Sequence, residues 1–350
     1  MSQFIQLHVL TSYPPSNLNR DDMGRPKTAV MGGVNRLRVS SQSLKRAWRT
    51  SDLFAEALGE WKGTRTKRVG REAYQQLTSK GVEAKKALEW AAAIAGQFGK
   101  LKDGKDEQEA LEIEQLAHVA PEEWQRIKAL TAVLAAESRA PEACELELLR
   151  HRPKAVDIAL FGRMLASNPG FNVEAAAQVA HALTVHAATV DDDYFTAVDD
   201  LNQYQDDGGA SHIGETGFGA GVFYLYVCIN RDLLVENLQG DAELANRAIA
   251  ALLEAVAKIS PTGKQNSFAS RAYASYILAE KGPQQPRSLA VAFLKPVNGQ
   301  DQLKSAIDAL TSQRDNFDEV YGTGFADSSK TMSADAGEGS LDEIIRFVTE

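Results

Sequence analysis

Apolar and polar side chains alternate at the start of the chain, from residue 4 to residue 10. Alternation of this kind is typical of a β-strand that buries one of its two faces. The apolar face carries Ile5, Leu7 and Val9, and the polar face carries Gln6 and His8. We therefore predict a half-buried strand, followed by a polar, proline-containing loop at 12–22 that includes Arg20.

A helical pattern replaces this alternation in residues 40–58. Its apolar positions recur at the spacing of one helix face, and serines precede them, where a hydroxyl can cap the helix. The apolar positions are Leu44, Ala47 and Trp48, the capping candidates are Ser40 and Ser41, and the polar faces carry Gln42, Lys45, Arg46 and Arg49. A capped first turn followed by cations suits a run of phosphates, and a solvated face with ordinary surface cations is the alternative.

The composition changes after this helix. Residues 60–151 are rich in alanine, glutamate, lysine and leucine, and helical spacing occurs at 83–95, 107–116 and 121–136. Pro121 suits the first turn of the last of these helices. We interpret the stretch as a helical insertion that is separate from the sheet.

Strand-like and helical patterns alternate through the rest of the chain. The strand-like segments are 155–161, 181–190, 222–229, 268–279 and 288–294, and the helical ones are 173–180, 243–259 and 300–317. This order predicts an α+β fold with a ferredoxin-like, RNA-recognition-like arrangement. The sequence lacks the aromatic signature of RNA-recognition folds, so any RNA would be held in a different way.

The segment 191–221 lies between two strand-like segments and is first rich in aspartate and then rich in glycine. A polar, glycine-rich excursion of this kind is typical of a long protruding hairpin. Tyr194, Phe195 and Phe218 lie within it. Aromatic side chains in such a segment favour contact with a partner over a simple solvated loop.

The overall composition describes a soluble globular protein of two or three structural units, with 350 residues, 44% of them apolar and 24% charged. No apolar run is long enough to span a bilayer, and the chain starts with strand-like residues instead of a signal peptide. Cys144 and Cys228 show no metal-ligand spacing, which favours a reducing compartment. We expect a cytoplasmic protein that does not contact a membrane.

The charge is distributed unevenly along the chain. The net charge is -9, but residues 1–80 carry 14 Lys and Arg against 6 Asp and Glu, a balance of +8. The remaining 24 basic and 41 acidic residues give -17. Because a local basic surface decides phosphate binding, the negative total does not exclude nucleic acid. The asymmetry also permits the basic end of one copy to meet an acidic region of the next.

Common catalytic patterns are missing from the sequence, which has no P-loop, HExxH or GxSxG motif and no CxxC pair. His181, His186 and the aspartates at 191–193 are candidate ligands of a metal-dependent phosphodiesterase. On a strand, however, residues five positions apart point to opposite faces. The sequence therefore indicates no cofactor, no metal site and no enzymatic role, and it favours binding or scaffolding.

Two stretches carry a resemblance to a known family. Residues 1–49 contain Asn19-Arg20-Asp21-Asp22-Met23, Gly32-Gly33 and Val39-Ser40-Ser41-Gln42-Ser43-Leu44-Lys45-Arg46-Ala47. Residues 155–240 contain Val156-Asp157-Ile158-Ala159-Leu160, Gly162-Arg163-Met164 and the segment 194–200. Together they resemble the CasC-type backbone subunit of Cascade, the type I-E CRISPR surveillance complex. The helical insertion and the C-terminal third match only in pattern.

The resemblance implies the shape of a right hand, in which an RNA-recognition-like palm carries helical fingers and a protruding β-hairpin thumb. The implied boundaries are 1–59 and 222–350 for the palm, 60–154 for the fingers, 155–190 for the return from fingers to palm, and 191–221 for the thumb. Copies are expected to stack head to tail along the guide RNA, each thumb reaching over the neighbouring palm and displacing a base.

The function implied by the resemblance is that of a non-catalytic scaffold, which polymerises along CRISPR guide RNA and presents it to target DNA in antiviral defence. The implied partners are guide RNA, target DNA through the guide, further copies of the chain, other Cascade subunits and a recruited helicase-nuclease. The implied RNA contacts are Arg20, Lys27, Ser40, Gln42, Lys45, Arg46, Arg49 and Arg163, with Met164, Phe195 and Thr196 at the displaced base.

Two other functions are compatible with the sequence. Backbone subunits of a related CRISPR branch cut target RNA with an aspartate in the loop after the first strand, where this chain has Asp21 and Asp22. A metal-dependent ribonuclease that uses these aspartates, or the cluster at 181–193, is the first alternative. Within the resemblance we interpret Asp21 and Asp22 as partners of Arg20 or Arg25. The second alternative is a helical adaptor whose basic face contacts an acidic protein.

Overall fold

The computed structural model describes residues 3–104, 106–197, 212–322 and 328–350, which adopt a mixed α+β fold built on a large antiparallel sheet. The strands are β1 (Phe4–Ser16), β2 (Thr28–Met31), β3 (Val34–Val39), β4 (Thr64–Thr66), β5 (Ala117–Val119), β6 (Ala177–Val179), β7 (Ala182–Thr184), β8 (Asp191–Ala197), β9 (His212–Asn230), β10 (Tyr276–Gly282) and β11 (Ser329–Ser333). The helices are α1 (Ser41–Arg49), α2 (Asp52–Leu58), α3 (Val69–Ser79), α4 (Ala84–Gly96), α5 (Pro121–Glu137), α6 (Val156–Phe161), α7 (Arg231–Asn237), α8 (Ala242–Lys258), α9 (Gln265–Phe268), α10 (Gln302–Tyr321) and α11 (Leu341–Thr349).

Among the described residues, nine strands form one sheet, with the order β11-β10-β1-β9-β7-β3-β2 and with β6 and β8 also paired to β9. The strand β1 lies between β9 and β10, and it is antiparallel to both. The long strand β9 pairs with β1 through its C-terminal half and with β8 through its N-terminal end. The β8–β9 ribbon falls within the predicted thumb, of which residues 198–211 lie outside the described residues.

Both faces of β1 are buried, so the prediction of a half-buried strand was wrong. One face packs with helices α2, α8 and α11 in the main core, which includes Ile5, Leu7 and Val9. The other face is covered by a second set of apolar residues from α10 and the segment 289–297. Gln6 and His8 therefore have no exposed surface. Alternation in the sequence identified the two faces but not the cover on the second one.

A buried network satisfies the polar side chains on that second face. His8 Nε2 donates to Glu280 Oε2 at 3.2 Å, and the Tyr224 hydroxyl lies 2.9 Å from His8 Nδ1. Arg287 Nη1 donates to the same Glu280 oxygen at 2.6 Å. Burial alone would raise the pKa of Glu280, but the hydrogen bonds from His8 and Arg287 outweigh it and lower that pKa to about 2. The network keeps three strands and the segment before α10 in a fixed relation.

The helical part of the chain has its own core. Helices α3, α4 and α5 pack around residues such as Trp90, Ile94 and Leu134, and this cluster shares no residue with the main core. It extends to Leu148 and Leu165, while α6 packs through Val156 and Leu160 into the main core. The short sheet β4–β5 belongs to this part and pairs Arg65 with His118.

Helix predictions with clear periodicity were confirmed, although some boundaries differ. The predicted helices at 83–95, 121–136, 243–259 and 300–317 correspond to α4, α5, α8 and α10, and Pro121 is the first residue of α5. The single helix predicted up to residue 58 is divided into α1 and α2. The division occurs at Ser51, whose hydroxyl accepts the N–H of Phe54 at 3.2 Å and so begins a new helix.

Short apolar runs were assigned to the wrong element. The predicted strand at 155–161 is the helix α6, and the predicted helix at 173–180 contains the strand β6. The predicted strand at 288–294 contains a 3-10 helix, as does the predicted helix at 107–116. In α6, residues Val156 to Leu160 are all buried. The sequence there has no alternation of buried and exposed positions, so no period distinguishes a helix from a strand.

None of the helices in the described ranges combines the length and the apolar character that crossing a bilayer requires.

The His8 network predicts a loss of stability at acidic pH. Burial lowers the pKa of His8 below its ordinary value of 6.5, so below about pH 6.5 the unfolded chain binds more protons there than the folded one. The free energy of unfolding therefore falls as the pH decreases through this range. His8→Gln keeps a hydrogen-bonding side chain that does not titrate, and we expect it to flatten the dependence between pH 7 and 5.

Denaturant unfolding at a series of pH values measures this effect, with His151→Gln as the control because His151 is exposed and lies outside the network. A His8→Gln variant with the parental pH dependence would show that the burial of His8 does not control it.

Candidate nucleic-acid interface

The N-terminus of α1 is held by its cap and by the preceding loop. The Ser40 backbone is extended, and its hydroxyl accepts the N–H of Ser43 at 3.3 Å, which confirms Ser40 as the cap. The Ser40 N–H itself donates to Asn19 Oδ1 at 2.9 Å. Asn17 Nδ2 donates to the carbonyl oxygens of Gly24 and Gly217, both at 2.9 Å. These bonds fix the loop that carries Arg20 against the first turn of the helix.

The orientation of α1 follows from its apolar stripe. Leu44, Ala47 and Trp48 are buried in the main core or against it, as the spacing predicted. Gln42 and Arg46 are consequently exposed, and Lys45 and Arg49 are half-buried. Burial of the stripe is worth roughly 1.5–3 kcal/mol for each large apolar side chain, so it sets which way the cations face.

Cations from three other parts of the chain lie beside this helix. The loop after β1 contributes Arg20 and Lys27, β3 contributes Arg38, and β4 contributes Arg65. We call the full set the cationic surface: it consists of Arg20, Lys27, Arg38, Lys45, Arg46, Arg49 and Arg65. In the part of the chain that the structure describes, only Arg49 of this set has a carboxylate within 4 Å.

Backbone pairing connects the loop and strand that carry these cations. The Lys27 N–H donates to the Asn19 carbonyl and the Arg38 N–H donates to the Lys27 carbonyl, both at 2.8 Å. The Arg38 guanidinium donates from Nη1 to His181 Nδ1 at 3.2 Å. The loop, β3 and the residue before β7 therefore present one continuous surface.

Crowding of like charges affects the ionisation of this surface. Partial burial and the nearby Arg65 guanidinium lower the pKa of Lys45. Burial also lowers the pKa of Arg49, Asp157 opposes that effect, and Arg65 and Arg46 add to it. A bound anion would relieve this repulsion, because a negative charge nearby favours the protonated form of each cation.

A buried carboxylate connects the cationic surface to the helical part of the chain. Asp157 Oδ2 lies 3.6 Å from Arg49 Nη1 and 2.8 Å from His118 Nε2, and its Oδ1 accepts the N–H of Gly63 at 2.7 Å. Asp157 has no exposed surface. It therefore positions Arg49 of α1 relative to the strands β4 and β5, and Arg65 lies on β4.

Arg163 has to be removed from the predicted RNA contacts. Its guanidinium is buried and donates from Nη1 to both carboxylate oxygens of Glu123, at 2.8 and 2.9 Å. It also donates to the carbonyl oxygens of Arg150 and Phe171. Glu123 in turn accepts the N–H groups of Ala120 and Arg150. The sequence shows a cation at this position but not the carboxylate 40 residues earlier that buries it.

The three residues predicted at the displaced base are exposed. The Met164 side chain is 77% exposed and lies at the rim of a cavity of about 240 Å³ in the helical part of the chain. Phe195 and Thr196 lie on β8, and Phe195 is 41% exposed. The Phe195 ring covers Gly214 on β9, where a built Cβ would lie only 2.3 Å from Cζ. Phe195 thus contributes to the ribbon as well as to its surface.

The candidate metal ligands are used for other contacts. Asp21 Oδ1 accepts the N–H groups of Met23 and Arg25 and shapes the loop. The expected partnership of Asp21 with Arg25 is made through the Arg25 main-chain N–H, whereas the Arg25 guanidinium contacts Asp192, with Nη2 at 3.0 Å from Oδ1. Within the described ranges, no three His, Cys, Asp or Glu side chains are grouped so that they could hold a metal ion.

His186 and His181 do not lie in one site. His186 is buried, donates from Nδ1 to the Ala187 carbonyl and accepts the Val222 N–H at Nε2, whereas His181 is exposed. The strand between them is also shorter than predicted, since β7 spans only Ala182–Thr184.

Sequence reasoning missed Arg38 and Arg65 as members of the cationic surface. Arg36 and Arg38 lie two positions apart on β3, and only the structure shows that Arg36 is buried, with Nη2 donating to the Phe293 carbonyl at 2.8 Å. Arg65 lies on a three-residue strand inside a segment that was interpreted as helical. The excess of cations in residues 1–80 was the available signal, but it does not say which of them share a surface.

A family model described as CT1975-like protein matches residues 5–345. The chain belongs to the CT1975-like protein family. The narrower identification as a CasC-type subunit of the type I-E complex was therefore wrong, because the family whose model matches is the CT1975-like one. The match also extends through the helical insertion and the C-terminal third, where the sequence had suggested similarity only in pattern.

Two solved structures are similar to the chain over nearly its whole length. A chain of a "CRISPR RNA-guided surveillance complex, pre-nicking" is 32% identical with a TM-score of 0.83, and the match covers 99% of both chains. A chain of a "CRISPR RNA-guided surveillance complex" is 28% identical with a TM-score of 0.74, again over 99% of both. The comparison with curated proteins found no match.

The burial of Arg163 leads to a prediction about stability. Arg163→Ala leaves the Glu123 carboxylate buried without its partner, and we expect the free energy of unfolding to fall by about 3–5 kcal/mol. Denaturant unfolding measures the change. Arg46→Ala is the matched control, because removal of an exposed arginine changes the free energy of unfolding by about 0.5 kcal/mol or less. Equal effects of the two substitutions would contradict the structural role of Arg163.

Proposed function

We propose that the protein is a non-catalytic, guide-RNA-binding backbone subunit of a CRISPR RNA-guided surveillance complex of the Cascade class. The cationic surface carries the proposal: seven cations gather on and beside the capped helix α1, and six of them have no carboxylate within 4 Å among the described residues. Unpaired cations crowded in this way are expected where a polyanion binds. The titles of the two similar structures support an RNA-guided complex as the setting.

The proposed binding mode uses phosphates and leaves the bases free. Contacts to phosphate position an RNA strand without reading its sequence, so one surface can hold any guide. Arg20, Lys27, Lys45 and Arg46 contact the phosphates in this proposal, and Ser40 and Gln42 add contacts at the first turn of α1. Target DNA pairs with the exposed guide bases, as antiviral recognition requires.

Several copies line up along one guide in this proposal. The basic balance of residues 1–80 and the acidic balance of the remainder, +8 and -17, favour contact between unlike ends of neighbouring copies. A contact between two different surfaces repeats along a line instead of closing on itself. Other subunits complete the complex, and cutting of the target is left to a recruited helicase-nuclease.

The proposed hand-like division has support from the two separate cores. Most residues of the main core come from 1–59 and 222–350, the proposed RNA-recognition-like palm, and most residues of the helical core come from 60–154, the proposed fingers. The segment 155–190 returns the chain to the sheet, and 191–221 forms the thumb. In this division the β8–β9 ribbon is the base of the thumb and reaches toward a neighbouring copy.

An assay of RNA binding and RNA cleavage distinguishes the proposed scaffold from a metal-dependent ribonuclease. It uses RNAs of unrelated sequence, because the proposed binding does not depend on sequence. Purified protein is incubated with labelled RNAs of unrelated sequence in the presence of Mg²⁺ or Mn²⁺. We expect every RNA to be retained intact, with an affinity that falls as salt is added. Cleavage that Asp21→Ala abolishes would support the ribonuclease instead, and no binding at any salt concentration would favour an adaptor that contacts proteins.

Removal of two cations from α1 tests the phosphate contacts. We expect Lys45→Ala with Arg46→Ala to weaken binding of unrelated RNAs to a similar degree and to reduce the salt dependence by about one to two phosphate contacts. Lys85→Ala with Lys86→Ala is the matched control, since these adjacent exposed lysines lie on α4, outside the cationic surface. An unchanged salt slope in the α1 variant would rule out this surface as the main RNA contact.

Met164 gives a test of base displacement. Because its side chain is exposed, we expect Met164→Ala to change the free energy of unfolding by about 0.5 kcal/mol or less. Leu165→Ala, at the buried neighbouring position, should cost about 2–5 kcal/mol and serves as the control. In the assembled complex, Met164→Ala should change the chemical accessibility of evenly spaced guide nucleotides. A parental footprint without periodic exposed bases would exclude a displaced base.

A further inference from the structure

Arg38 and His181 form a contact that the proposed RNA-binding residues do not explain. Arg38 Nη1 lies 3.2 Å from His181 Nδ1. A guanidinium can only donate, so Nδ1 must accept and the ring proton of neutral His181 lies on Nε2. The contact is exposed, and Arg38 has no carboxylate within 4 Å in the described part of the chain. The Arg38 guanidinium is therefore hydrogen-bonded to the neutral imidazole of His181 instead of being paired with an anion.

The surroundings of His181 are positively charged from several sides. Arg38 approaches from β3, Lys27 from the loop before β2, and Lys45 from α1. Partial burial lowers the pKa of His181, and these three cations lower it further. All the charged groups that shift this pKa are therefore cations. A further positive charge on His181 is unfavourable in the free protein.

We propose that Arg38 and His181 together form a further phosphate contact of the RNA path, and that His181 takes up a proton when RNA binds. The inference rests on the proposed function. A phosphate oxygen that enters between them separates Arg38 from Nδ1 and accepts a hydrogen bond from the Arg38 guanidinium. Nδ1 then takes a proton from the solvent and donates to the same oxygen, while Nε2 keeps its own proton on the other side of the ring. The negative charge of the phosphate offsets Lys27 and Lys45 and makes the imidazolium favourable.

The mechanism couples RNA affinity to pH with a defined sign. The complex binds one more proton at each such contact than the free protein does, so the affinity must rise as the pH falls. RNA affinity should depend on pH only in the range in which His181 is neutral in the free protein and charged in the complex. For a single copy on a short RNA, the limit is about a tenfold gain in affinity per pH unit.

The experiment measures the affinity of the full chain for one short RNA of fixed sequence between pH 5.5 and 8, at constant ionic strength. Three forms are compared: the parent, His181→Gln and His151→Gln. Glutamine can still donate and accept hydrogen bonds but does not titrate, and His151 is an exposed histidine that contacts Phe171 and Gly170 instead of the cationic surface. We expect the parent and His151→Gln to gain affinity toward acidic pH and His181→Gln to lose most of that gain.

A second measurement detects the proton directly. Titration calorimetry in two buffers with different ionisation enthalpies gives the number of protons taken up on binding, which should approach one in the parent below neutral pH and fall in His181→Gln. Arg38→Ala should weaken binding at every pH and reduce the salt dependence by about one phosphate contact. Both results together would identify a phosphate contact shared by Arg38 and His181. A variant that had only lost structure would also lose RNA binding, whereas His181→Gln should still bind RNA but without the proton uptake.

Two kinds of failure are distinguishable. If the parent does not bind RNA at any pH, the proposed function is wrong and the inference falls with it. If the parent binds RNA but His181→Gln keeps the full pH dependence and proton uptake, only the role of His181 is overturned. Arg38→Ala with parental affinity and salt slope would likewise exclude the contact while leaving the rest of the cationic surface in place.

Discussion

The central strand β1 is covered on both faces, and this constraint determines where a nucleic acid can bind. An open sheet face with aromatic side chains can stack bases. Here His8 and Tyr224 lie on such a face but are enclosed beneath α10 and the segment 289–297, where they bond to each other. This part of the sheet therefore contributes to stability. In the proposed function, RNA binds at the edge of the fold, where α1, β3 and the loop after β1 meet.

A binding surface at the edge of the fold suits the proposed contacts to the RNA backbone. The cations of α1 point outward because Leu44 and Trp48 point inward, whereas on β3 Arg36 is fully buried and Arg38 is only half-buried. The same residue type therefore has opposite roles two positions apart. Arg163, in the helical part of the chain, is a second buried arginine, and its guanidinium is paired with the buried carboxylate of Glu123. In this protein, the burial of a charge depends on a partner that is distant in sequence.

The sequence was a good guide where one element determines its own geometry. The period of α1, its serine cap and the outward direction of Lys45 and Arg46 depend only on neighbouring residues, and all were predicted. The cover over His8 and the pairing of Arg38 with His181 join segments more than 100 residues apart, as the contacts of 272 and 143 residues' separation show. No local pattern contains that information. Short buried segments such as α6 failed for a related reason, since tertiary burial removed the polar positions that mark a period.

The shared carboxylate of Asp157 has a consequence for an array of copies. It bonds to His118 of the helical part and lies 3.6 Å from Arg49 Nη1 of α1, so one buried charge holds both side chains in place. If copies line up along a guide as proposed, the helical part of each copy is held in a fixed relation to the RNA. The repeat distance along the RNA backbone would then set the spacing between the helical parts, and a protein that contacts several copies would recognise that spacing without touching the RNA.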